Sequence, residues 1–128
     1  RNKKRKVPLY LAKNSKMEIY HNSRCSKSRC TLDIITENQQ EVTIIEYLKN
    51  PLTKPEITEL LVKLNMPAKD LIRKGEADFK ENYKGKELSE DEWLDAMVKF
   101  PKLIERPIVV NADKAVIGRP PENVKLLF

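Results

Sequence analysis

A short strand, a helix of about three turns and a second strand follow one another between residues 17 and 47, and this run constrains the fold most. Residues 17–21 read M-E-I-Y-H, which alternates and carries an aromatic, so they predict a strand. Residues 22–26 are polar and turn-like. Residues 27–38 suit a helix with Leu32, Ile34 and Ile35 on its buried face. Residues 42–47 read V-T-I-I-E-Y, a β-branched run that predicts a second strand. Two strands joined through a helix imply a parallel pair.

The next block is helical. Asn50 and Pro51 break the chain, and Thr53 with Glu56 three residues later forms a capping-box pattern. Behind it, Ile57, Leu60, Leu61 and Leu64 make one apolar stripe. Residues 67–74 predict another short helix, and residues 75–88 read as a polar loop. Ser89 with Glu92 is a second capping box, opening a helix that carries Trp93, Met97 and Phe100 on one face. The period then changes. Residues 107–110 (P-I-V-V) and 115–117 predict a hairpin around a turn at 111–114. Pro120 and Pro121 open a last helix running through Phe128. The order β-α-β, helices, β-β-α is that of a thioredoxin-like α/β domain. It predicts a mixed β-sheet flanked by helices, with a helical insertion over residues 50–104 between the βαβ and ββα halves.

A length of 128 residues suits one domain, and 40% hydrophobic with 34% charged residues is an ordinary globular balance. The net charge of +6 would suggest nucleic acid if it were spread over that domain. It is not: residues 1–16 carry seven basic side chains and no acid, which leaves a net −1 on residues 17–128. The domain therefore lacks the basic footprint of a nucleic-acid binder. Residues 1–16 are read as a peripheral basic extension and residues 17–128 as the functional domain. No apolar run approaches the ~20 residues that cross a membrane, and no apolar secretory segment is recognisable at the N-terminus. A reducing cytoplasm is the expected location, with the two cysteines kept as thiols.

Cys25 lies between the first strand and the first helix, in H-N-S-R-C-S-K-S-R at 21–29. A thiol at a helix N-terminus meets unpaired N–H groups and the positive end of the helix dipole, which favour the thiolate and a neighbouring anion. Arg24, Lys27 and Arg29 add positive charge. Three residues on, where a dithiol motif has its second cysteine, stands Ser28, so Cys25 is expected to work with an outside thiol. Cys30, five residues on, faces about 140° away around a helix, too divergent for a disulfide; it is expected to be a packing residue. His21, the only histidine, is a candidate for tuning the thiol or for a purely structural hydrogen bond. One histidine and two cysteines in this geometry imply no metal site.

These blocks, together with E-Y-L-K-N-P at 46–51, L-I-R-K at 71–74, E-R-P-I-V-V at 105–110 and I-G-R-P-P-E at 117–122, resemble the glutaredoxin-linked arsenate reductase family. The related Spx-type regulators share its fold. The resemblance runs from Met17 to about Leu127. It implies that Cys25 attacks a tetrahedral oxyanion held by Arg73, Arg106 and Arg119. Guanidinium forks suit that role, because they bind such anions through paired N–H donors. His21, Asn22, Ser28 and Arg29 would then tune the thiolate and line the anion loop. Pro107 matches the cis-proline position of thioredoxin folds, which would set backbone groups beside Cys25. Ser23 departs from the family, which usually has proline there. The implied activity is reduction of arsenate to arsenite, with glutathione as co-substrate, glutaredoxin as partner, no tightly bound cofactor and a monomeric chain. Two other readings compete: a glutathione-dependent thiol oxidoreductase with a different substrate, and an Spx-like regulator that binds RNA polymerase.

Overall fold

The computed structural model describes residues 17–128; the basic extension expected at residues 1–16 lies outside the described residues. The chain divides into two compact units, residues 17–46 with Arg106–Phe128, and Tyr47–Glu105.

The first unit is built on a four-stranded mixed sheet in the order β2-β1-β3-β4. Strand β1 spans Met17–Tyr20, helix α1 Ser26–Glu37 and β2 Thr43–Ile45, and β1 and β2 pair in parallel with Ile19 opposite Ile44. This is the crossover that the first 30 described residues imply, although β2 is shorter than residues 42–47. Strands β3 (Ile108–Asn111) and β4 (Lys114–Ile117) form an antiparallel hairpin, and β3 lies antiparallel to β1 with Val109 opposite Ile19. Ala112 turns that hairpin in a left-handed conformation with φ 58°. The chain ends in a 3₁₀ segment, Pro121–Leu127, and not in the α-helix expected there. That segment packs on α1 and β4. Met17, Ile19, Ile35, Val42, Val109, Val124 and Leu127 form the core between sheet, helix and 3₁₀ segment, with Leu32 and Ile34 packed at its edge. The whole is a thioredoxin-like mixed sheet flanked by helices.

The second unit is helical, as the insertion predicts. Helix α2 spans Lys54–Leu64, α3 Ala77–Asn82 and α4 Glu90–Lys99. Both capping boxes form: the Thr53 and Ser89 hydroxyls accept from the backbone N–H of Glu56 and Glu92, whose carboxylates accept from the cap residues' own N–H. Helix α3 corrects the expectation of a loop over residues 75–88. Its six residues have no apolar stripe of their own. It forms because Phe79 is buried against Trp93, with ring centroids 6.2 Å apart and nearly parallel, while Tyr83 leans on both Trp93 and Phe100. Residues 68–71 form a 3₁₀ turn within the predicted short helix, and the Glu90 carboxylate accepts from the N–H of Ala68 at its start.

Candidate active site

The site of the first unit begins where β1 ends. The N–H of His21 continues the parallel ladder by donating to the carbonyl of Ile45, 2.9 Å away. The chain then turns: the Cys25 N–H donates to the carbonyl of Asn22 (3.0 Å), and the side-chain oxygen of Asn22 accepts from the N–H of Arg24 (3.0 Å). Such a side-chain-supported turn is what asparagine does well before a helix. Arg29 reaches back from α1 and donates to the carbonyl of Ser23 (2.9 Å), so the loop is held even though proline is replaced by serine.

Cys25 is the N-cap of α1. Its backbone is extended, with φ −95° and ψ 123°, and its carbonyl accepts the first helical bond from Arg29. Its side chain makes no capping hydrogen bond, but the half-buried sulfur lies in a positive environment at the helix start. Burial pushes its acidity down, but the N–H of Ser28, the Arg106 guanidinium, the N–H of Lys27 and the charge of Arg119 outweigh that effect. The net result is a thiol held below the ordinary cysteine range.

Arg119 lies against the sulfur. Its Nη2 lies 3.5 Å from Cys25 Sγ, and its Nε donates to the carbonyl of Arg106 at 2.7 Å. The Arg106–Pro107 peptide is cis, as the resemblance implies, and Arg119–Pro120 is also cis, which the sequence reading does not anticipate.

Ser28 is fully buried and engaged. Its Oγ lies 2.6 Å from His21 Nδ1 and accepts from the N–H of Asn22 at 3.1 Å. Burial pushes the His21 imidazole below its ordinary value; Glu46 and Asp33 pull upward and Arg29 adds to the downward shift, with burial prevailing. The unfolded chain binds the histidine proton more readily than the folded one, so stability is fullest above the ordinary value of 6.5 and declines as pH falls through it toward the folded value. Urea titrations across that window are expected to show a shallower acid decline for His21→Asn, which keeps a polar nitrogen near Ser28. An unchanged slope would mean that His21 is not a source of that pH dependence.

The other sequence candidates are placed differently. Arg73 belongs to the second unit. An isolated antiparallel bridge between Ile72 and Ile104 sets it beside Glu105. Its guanidinium engages the Glu105 carboxylate at 2.5 Å and that of Glu76 at 3.4 Å. Although burial disfavours its charge, these two carboxylates hold its proton more firmly still. Cys30 is exposed and free, which corrects its expected packing role; its side chain leaves α1 on the solvent face. Cys25 is likewise a free thiol. Among the described residues no group of three His, Cys, Asp or Glu side chains could hold a metal, and no helix is long and apolar enough to cross a membrane.

Three residues that the sequence reading did not single out complete the surroundings. Thr31 is fully buried in α1, and its Oγ1 donates to the carbonyl of Lys27 (2.8 Å) and approaches that of Gly118 (3.4 Å). The Gly118 N–H donates to the carbonyl of Pro107 at 2.9 Å. Asn123 donates through Nδ2 to the carbonyls of Arg119 (3.1 Å) and Ile117 (3.3 Å). Gly118 sits inside the I-G-R-P-P-E block and Asn123 one residue beyond it, but neither residue type announces such a role at a distance in sequence.

Fold and site together define a thioredoxin-like domain with a single activated thiol at the start of its first helix and two arginines on that sulfur. The family described as the ArsC family matches residues 20–127, and the chain belongs to it. It is 48% identical to the Escherichia coli protein YfgD, described as uncharacterized, over 84% of this chain and 92% of that one. It is 42% identical to an arsenate reductase of Haemophilus influenzae over 83% of this chain and 93% of the other. The structure of an arsenate reductase from Vibrio cholerae superimposes with a TM-score of 0.84 at 38% identity, covering 88% of this chain and 97% of the other.

Proposed function

We propose that this chain reduces arsenate to arsenite, using glutathione and glutaredoxin as the source of electrons. What supports the reading most is the Arg119 guanidinium 3.5 Å from the Cys25 sulfur, with Arg106 and the N–H groups of Ser28 and Lys27 also favouring the thiolate. The same donors that stabilise a thiolate suit a tetrahedral oxyanion beside it. Membership of a family with named arsenate reductases supports the choice of anion.

In this reading the Cys25 thiolate attacks arsenic(V), forming a sulfur–arsenic bond as one arsenate oxygen leaves as water. Arg106 and Arg119 neutralise the charge on the remaining oxygens. Glutathione adds a second sulfur to arsenic, again with loss of water. A glutaredoxin thiolate then takes the glutathione sulfur as a mixed disulfide, and the electron pair of the broken arsenic–sulfur bond stays on arsenic, which becomes arsenic(III). Water releases arsenite and restores Cys25. The glutaredoxin step is thiolate attack on sulfur, as in thiol–disulfide exchange, but with arsenic(III) as the leaving group. Arg73 enters as a third oxyanion ligand on its motif alone. Ser28 is buried and bonded to His21. An Spx-like dithiol switch would need a second thiol at that position, so this favours the enzyme over a polymerase-binding regulator.

The test is a coupled assay with arsenate, glutathione, glutaredoxin and NADPH. NADPH consumption that depends on Cys25 supports the proposal; its absence rejects arsenate and leaves a thiol oxidoreductase with another substrate. In the same assay Arg106→Ala is expected to raise the arsenate KM by about 10- to 100-fold, the worth of one hydrogen bond to a charged group. Removing residues 1–16 is expected to leave KM unchanged. Equal effects of the two changes would misplace the anion site.

A further inference from the structure

We propose that Asn123 is a positioning residue for Arg119, holding its main chain so that its guanidinium meets Cys25. The proposal rests on the pairing of Arg119 with Cys25 used above, and not on which oxyanion binds there.

Arginine is a poor fixed group by itself, since its long side chain has many rotamers to lose. Here the guanidinium is pinned through Nε to the Arg106 carbonyl, which leaves Nη2 facing Cys25 Sγ at 3.5 Å. That pin works only if the main chain at residue 119 stays at a constant distance from residue 106. Two contacts hold it there. Before Arg119, the Gly118 N–H donates to the Pro107 carbonyl at 2.9 Å. After it, the Arg119 carbonyl itself accepts from Asn123 Nδ2 at 3.1 Å, and the same nitrogen reaches the Ile117 carbonyl at 3.3 Å. The backbone N–H of Asn123 also donates to the Pro120 carbonyl at 3.0 Å, which fixes the amide's own base.

The chemistry of the residue fits the task. Asn123 bridges the last carbonyl of β4, that of Ile117, and the carbonyl of Arg119 just beyond it. One planar amide nitrogen carries two donors and can serve two carbonyls at once. Aspartate offers only acceptors there, and an apolar side chain would remove the bridge between the two carbonyls. Asn123 has a second place in the fold, since its 3₁₀ segment packs on α1, the helix that Cys25 caps. A group that only closed a turn would affect stability and nothing else. A positioning group must also be felt at the sulfur.

The experiment is iodoacetamide alkylation of Cys25 as a function of pH, in the full chain carrying Cys30→Ser to leave one thiol. Asn123→Ala is expected to move the alkylation midpoint upward and to slow alkylation at neutral pH by about threefold or more. Combined with Arg119→Ala, it is expected to add no further shift, because the two residues act as one unit. Asn123→Ser keeps one donor and should fall between, and it carries the same test if the alanine variant does not fold. An unchanged midpoint with only a lower unfolding temperature would overturn the proposal. So would an equal shift in the Arg119→Ala background. None of these readouts uses arsenate turnover, so a protein that fails to reduce arsenate could still pass, and an active one could still fail.

Discussion

Cys25→Ser is expected to reduce NADPH-coupled arsenate turnover by at least about a thousandfold, to the background of the assay, while leaving the fold intact. The two side chains differ by one atom and occupy nearly the same volume. The difference is ionisation. The N–H groups of Ser28 and Lys27, with Arg106 and Arg119, bring a thiol below its ordinary range despite its burial. The same donors cannot bring an alcohol near neutrality, so the nucleophile is lost. Cys30 cannot stand in: it sits exposed on the body of α1. The measurement is the coupled assay beside thermal unfolding of the same preparation. Residual turnover above about one-tenth of the wild-type rate, with the protein folded, would remove Cys25 from the centre of the mechanism.

Gly118→Ala is expected to cost about 1–3 kcal/mol of folding stability, the usual penalty for forcing a methyl into a packed site, and to raise the Cys25 alkylation midpoint as well. A Cβ on Gly118 would lie 2.5 Å from Thr31 Oγ1, 2.8 Å from the Pro107 ring and 3.1 Å from Thr31 Cγ2. Neither neighbour can swing aside. Thr31 is β-branched, fully buried and bonded to its own helix, and Pro107 is a buried ring. The strain must therefore move the segment that carries Arg119. Close approach, and not an unusual backbone angle, is what demands glycine here. Thr31→Ala in the same chain is expected to restore only part of the loss, because the Pro107 contact remains. Denaturant titration reads the stability and alkylation reads the sulfur. A Gly118→Ala protein within about 0.5 kcal/mol of the parent, with an unmoved midpoint, would show that the segment yields freely.

The two predictions differ in how far the sequence foretold them. Cys25 is legible because its place at a helix start is local: the strand that ends at Tyr20, the helix that begins at Ser26 and the Ser28 that stands where a dithiol has its second cysteine. Both capping boxes are legible for the same reason, since each joins residues three apart. The βαβ crossover and the hairpin follow from periodicity and turn residues, and Pro107 from its motif. Helix α3 was hidden because its stability comes from Trp93, ten or more residues away in sequence. The exposure of Cys30 was hidden because helical phase alone does not say which faces of α1 the sheet and the last segment cover.

The elements, their order and the position of one thiol at a helix start are written in residues a few positions apart and in hydrophobic period. What surrounds that thiol depends on packing across the fold. Arg119 reaches Cys25 from 94 residues along the chain, and Gly118 meets Thr31 from 87. Arg73, equal to the other arginines in its motif, is engaged by Glu76 and Glu105. Contacts of that span depend on the packing of whole elements, and a single side chain's identity carries no record of which distant carbonyl, ring or sulfur it will meet.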